Sequence, residues 1–205
     1  MKDNYPNLSK AQPQDSGRFQ RKRDLMLFLT LARNSFAKGK FDLAADYCRQ
    51  IIESCIVSKM DEIAYEAYYL WCLANLNLSQ PEDVRKVCYD ARSKYGNYLD
   101  LIYFELLSWA LSGNIEKVIK FCETYLAFYE NSNHAEMPLR SRTAEKYTEV
   151  KIMLAQSLDE KGDHAKAYEV YQGILAKIGS NPDIELRIAR LKDKLSIALN
   201  EDQNE

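Results

Sequence analysis

Leu154-Ala155-Gln156-Ser157-Leu158-Asp159-Glu160-Lys161-Gly162-Asp163-His164-Ala165-Lys166-Ala167-Tyr168-Glu169-Val170-Tyr171 sets two apolar ladders on either side of one glycine. Leu154, Ala155 and Leu158 recur at helical spacing before it, and Ala167, Val170, Tyr171 and Ile174 do so after it. Gly162 stands where a helix ends and the chain reverses, because glycine alone enters the left-handed conformation of a helix C-cap without a steric penalty. Ala155 and Ala167 are small enough to let the two helices approach closely. The stretch predicts an antiparallel helix hairpin.

The same arrangement stands near the other end of the chain. Lys38-Gly39-Lys40 repeats Lys161-Gly162-Asp163, Leu31-Ala32 repeats Leu154-Ala155, Ala44 repeats Ala167, and Ile51 repeats Ile174. Phe41 follows its glycine by two residues. Self-similarity at the length of a helix hairpin is the mark of a solenoid. In that register two looser copies fill the middle. One has helices over 63–78 and 82–94, a turn at Ser79-Gln80-Pro81, and Val84, Cys88 and Ala91 facing inward. Pro81 suits the first turn of its second helix and pushes Gln80 out of the helical region. The other has helices over 99–112 and 115–129, a turn at Gly113-Asn114, and an inward set of Ile102, Leu106, Trp109, Val118, Cys122 and Tyr125. Cys72 and Leu106 replace the small residue of the first helix, so these two copies are degenerate.

Between the third and fourth copies, residues 130–142 exceed a regular connection and read as an inserted loop. Asn181-Pro182-Asp183 opens a last helix, with Asn181 as N-cap and Pro182 in the first turn. Ile184, Ile188, Leu191, Leu195 and Ala198 form its one apolar face, and charged residues its other, as a terminal cap requires. The domain reading is a disordered segment over 1–22, an all-α domain over 23–200 and a frayed tail over 201–205. Arg18, Arg21, Lys22 and Arg23 form a short basic cluster whose plain reading is a solvated edge.

Composition narrows the function classes. The 205 residues carry 28 Lys and Arg against 30 Asp and Glu, a formal charge of -2, which supplies no global attraction to nucleic acid or anionic membrane. Only 7 Gly and 5 Pro argue against a β-rich fold. Cys48, Cys55, Cys72, Cys88 and Cys122 lack CxxC spacing and sit in apolar stretches, so they read as small buried hydrophobes of a reducing compartment. With no apolar run near the length of a membrane span and no signal-peptide core, the expectation is a cytoplasmic or nuclear protein that does not itself insert into a membrane. No nucleophile–base pair, phosphate-binding glycine loop or Cys/His ligand set is present. The expectation is therefore a non-enzymatic protein with no cofactor and no metal.

Over residues 25–200 the chain resembles the tetratricopeptide repeat (TPR) family, closely in the first and fourth hairpins and loosely in the middle two. The resemblance implies a right-handed α-solenoid of about four TPR-like hairpins plus a C-terminal capping helix. It also implies a concave groove, lined by the first helix of each pair, that holds a partner protein. In this register the groove takes Leu29, Arg33 and Phe36 from the first hairpin, Tyr69, Leu73 and Leu76 from the second, and Tyr103 and Leu107, with Ala110, from the third. The fourth adds Ile152, Gln156 and Asp159. Some family members clamp the acidic C-terminus of chaperones with Lys, Asn and Arg; here Leu29, Arg33, Leu70, Asp100 and Phe104 occupy those places, and only Arg33 is suitable. An apolar, Tyr-rich groove instead suits a helical or apolar partner segment. The other reading is a constitutive subunit of a larger complex, membrane-associated through a partner if at all, with its groove self-filled.

Overall fold

A computed structural model of the chain describes residues 13–58, 61–131 and 142–201. Among these the ordered elements are helices: α1 (Pro13–Ala37), α2 (Phe41–Ser58), α3 (Asp61–Asn77), α4 (Pro81–Tyr95), α5 (Leu99–Leu111), α6 (Ile115–Asn131), α7 (Tyr147–Lys161), α8 (His164–Ile178) and α9 (Pro182–Glu201). A short 3-10 turn, Ala144–Lys146, leads into α7. The fold is all-α, and α1–α2, α5–α6 and α7–α8 pack as the hairpins that the glycine register predicts. The N-terminal boundary differs. α1 begins at Pro13, inside the segment expected to be disordered, because a helix already held by packing extends through residues that need only their own i to i+4 hydrogen bonds. Residues 1–12 of that segment, the loop positions 132–141 and the tail positions 202–205 lie outside the described residues.

One turn design recurs. Gly39 donates its N–H to the Phe36 carbonyl (2.9 Å), and Lys40 donates to Ser35 (2.9 Å). Gly113 and Asn114 donate to Ala110 (3.0 Å) and Trp109 (3.2 Å), and Gly162 and Asp163 donate to Asp159 (3.0 Å) and Leu158 (2.9 Å). The offsets are identical, and two of the carbonyls orphaned at each helix end are satisfied. The residue after the glycine then starts the next helix, its carbonyl accepting from Ala44, Val118 or Ala167. Those three are buried. The geometry demands a positive φ, which is 71° at Gly39, 66° at Gly113 and 92° at Gly162. At the corresponding place before α4 stands Ser79, with φ 55°.

The chain forms two compact units, Met1–Leu78 and Ser79–Glu205. In the first, α1 packs on α2 and α3, and α2 packs on α3. Ala32, Ala44, Cys48, Ile51, Ala67, Tyr68, Cys72 and Ala74 have no exposed surface. The buried alanines Ala32 of α1 and Ala44 of α2 add little side-chain bulk, which lets larger neighbours interlock around them. In the second unit each helix packs on the next from α4 to α9. Val84, Cys88 and Ala91 of α4, Ile102 and Leu106 of α5, Val118, Cys122 and Tyr125 of α6, and Ala167, Tyr171 and Ile174 of α8 are buried, in agreement with the expected inward set. Trp109 is half-buried, its ring covered by the Arg85 guanidinium 4.1 Å from the centroid.

α9 closes the second unit as the capping helix. Asn181 Oδ1 accepts from the N–H groups of Asp183 (3.1 Å) and Ile184 (3.2 Å), so Asn181 is the N-cap the sequence predicts. Ile184, Ile188 and Leu191 are buried. Each fully buried large aliphatic contributes roughly 1.5–3 kcal/mol, ample to hold a helix whose other face is charged.

All five cysteines are buried thiols. Burial pushes the Cys48 thiol up to about 12, and burial with the neighbouring Glu123 carboxylate does the same at Cys122. Neither forms thiolate near neutrality, so both thiols should resist a disulfide reagent at pH 8 until denaturant is added; rapid labelling of the native chain at Cys48 or Cys122 would contradict this burial. The turn geometry makes a second prediction. An added Cβ at Gly162 meets no atom within 4 Å, so Gly162→Ala carries only the left-handed backbone penalty and should destabilise by roughly 1–2 kcal/mol. Ser79→Gly, where that penalty is already present, should stabilise by up to roughly 1 kcal/mol; urea unfolding midpoints read both.

Candidate docking faces

α3 leaves an apolar ladder partly open on one face, with Trp71 half-buried elsewhere on the helix. Leu70, Cys72 and Ala74 are buried, as are Ala67 and Tyr68, whereas Glu66, Tyr69, Leu73 and Leu76 are half-buried. Their spacing of three, four and three residues keeps them on one helix face. Beside this ladder runs the corresponding face of α1. Arg33 is exposed and donates through Nη2 to Glu66 Oε1 at 2.8 Å, tying the two first helices together across the face. With Arg33 about half exposed, the pair gives register more than stability. Phe36 is half-buried and meets the Phe41 ring edge-on at 5.2 Å between centroids. Leu29, expected on the same face, is buried and belongs to the floor beneath it.

The second unit carries its own version on α5 and α7. Leu107 is half-buried and Ala110 exposed. Tyr103 is buried, its ring 6.0 Å from that of Tyr125 and its hydroxyl donating to Glu149 Oε1 at 3.0 Å. Packing therefore uses its ring in the core, and only the hydroxyl reaches the edge of the face. Ile152, Gln156 and Asp159 are half-buried along α7. At the end of that row, Asp159 Oδ1 lies 2.6 Å from Lys194 Nζ of α9 and 2.8 Å from His164 Nδ1 of α8. Burial raises the Asp159 carboxyl, but the Lys194 hydrogen bond and charge, joined by His164, outweigh it and hold the group below its ordinary value.

Sequence reasoning missed two features. One is Asp100, which lies 1% exposed at the start of α5 and serves as an internal acceptor. The other is the tyrosine cluster around Tyr147, whose ring stacks obliquely on Tyr129 at 4.6 Å and lies beneath the ammonium groups of Lys177 (4.2 Å) and Lys151 (4.9 Å). The count of 14 tyrosines was the available signal, without any indication of which would meet. Among the described residues no group of three or more His, Cys, Asp and Glu side chains could hold a metal ion. No described helix is long and apolar enough to cross a membrane.

No protein-family model matches the chain, and no curated protein matches it significantly. Among solved structures it is similar to the crystal structure of a thermophilic TPR protein of Thermus thermophilus, at 16% identity and a TM-score of 0.45, over 82% of this chain and 98% of that one.

The Asp159 contacts imply a definite pH dependence. A carboxyl whose folded value lies below its unfolded value contributes stability above the unfolded value, and that contribution is lost as pH falls through the folded one. Wild type should therefore melt above Asp159→Asn at pH 6, and the gap should close on acidification below about pH 3.8, the ordinary value for this group. A gap independent of pH would show that Lys194 and His164 do not act on the charge of Asp159.

Proposed function

We propose that this protein is a TPR-like interaction module that holds a helical or apolar segment of a partner protein and carries out no catalysis itself. The observation that carries the reading is the ladder Tyr69, Leu73 and Leu76, half-exposed on a helix whose other residues are largely buried. An apolar row one helix face wide, about 10 Å long over seven residues, matches the anchors of two turns of a partner helix. Arg33 and Glu66 border it with charge, and Phe36 extends it onto α1. The 34 residues between Ser79 and Gly113 equal the repeat period of the TPR family, which supports the analogy. In the second unit half-buried Leu107 offers the same kind of contact.

A second reading, permanent incorporation into a larger assembly, draws on a different surface. Leu27 is 60% exposed on α1, its neighbour Met26 is exposed too, and so is Leu43 on α2. Apolar side chains of that size at the surface are suited to a lateral contact.

Tyr69→Ala and Leu73→Ala should each weaken capture of the partner by roughly 1–3 kcal/mol, measured by affinity purification with quantitative mass spectrometry and then by titration of the captured protein. Melting temperature is the control. If both variants lower it while capture is unchanged, the ladder is core and the docking reading fails; if Leu27→Glu alone abolishes capture, the lateral surface is the interface.

A further inference from the structure

The connection between α6 and α7 rejoins the array at a built anchor. Asp100 Oδ1, at the first turn of α5, accepts three hydrogen bonds: from the Arg142 N–H (2.9 Å), the Thr143 N–H (2.9 Å) and the Thr143 hydroxyl (2.8 Å). The Thr143 carbonyl in turn accepts from the Tyr125 hydroxyl of α6. Both Asp100 and Thr143 are buried, at 1% and 3% exposure. Two residues of backbone are thus held to two different helices through one oxygen and one carbonyl. The 3-10 turn and the first turn of α7 follow directly, where Lys146 pairs with Glu149 (3.0 Å) and Glu149 accepts from Tyr103. Between this anchor and α7 the contacts are peripheral: Lys146 is itself partly exposed and the Ala144–Lys146 turn contains no buried residue, whereas from Tyr147 onward α7 is held by its own buried side chains.

We propose that Asp100 is a latch: it fastens Arg142–Thr143 to α5, and its release frees the segment from Arg142 to Lys146 as a local unit while the rest of the second unit stays folded. The physical reason is the concentration of hydrogen bonds. A buried carboxylate that accepts three donors contributes far more than any one exposed contact of the segment, and its loss leaves two backbone N–H groups without their acceptor. Segments held by a few strong polar contacts and little apolar burial open separately from the core around them.

Hydrogen–deuterium exchange of the full chain, wild type against Asp100→Ala, tests this. Exchange over 142–146 should accelerate about tenfold or more, while α8 and the first two turns of α6 keep their wild-type rates. Unchanged rates over 142–146, or acceleration spread evenly from α4 to α9, would overturn the proposal and leave Asp100 an ordinary core residue. Should Asp100→Ala fail to fold, Thr143→Val removes the hydroxyl donor alone and leaves Asp100 in place. It should accelerate the same peptide by a smaller factor, and equal exchange in that peptide would count against the latch.

Discussion

The glycine hairpin turns of this chain rest on one backbone requirement: the residue after the last helical turn must be left-handed. Only then do its N–H and the next one reach back to the carbonyls that the ending helix leaves exposed. At Gly39, Gly113 and Gly162 the pairs of bonds span identical offsets. Because the residue after each glycine also begins the following helix, the turn determines the rotational phase of the second helix against the first. Ala44, Val118 and Ala167 consequently arrive at the same inner position in three different sequence contexts. The rest of the packing builds on that phase.

Given the phase, each first helix is sorted into a side that meets its neighbours and a side that does not. On α3 most residues are buried, and Glu66, Tyr69, Leu73 and Leu76 stay partly open along one face. A face left open by packing, and still apolar, is the feature from which the interaction reading grows. The Arg33–Glu66 pair aligns α1 beside it without covering it. In the second unit the same position is used differently, since Tyr103 turns into the core and meets Tyr125. Equivalent repeat positions thus carry different duties, because the neighbouring side chains differ in size.

Polar anchors hold what apolar packing leaves loose. Asp159 ties the end of α7 to the start of α8 through His164 and to the body of α9 through Lys194. Asp100 takes the chain back from a long connection and sets where α7 begins. These carboxylates act at junctions where three elements meet, and junctions have no periodic signature.

What the amino-acid order determined by itself was local and periodic: the helices, their glycine turns, the N-cap at Asn181, and the inward sets from Val84 to Ile174. Helical spacing and the left-handed turn are short-range constraints, so neighbouring residues suffice to state them. Only the tertiary structure decided which groove-register residues remain open. Leu29 and Tyr103 occupy the same register as Tyr69, and nothing within a few residues of either tells that their neighbours would close over them. The helical start at Pro13 and the role of Asp100 belong to the same class. The first depends on a helix carried outward from its packed part, and the second on donors more than forty residues away, which come within reach of Asp100 only after α5, α6 and α7 have packed.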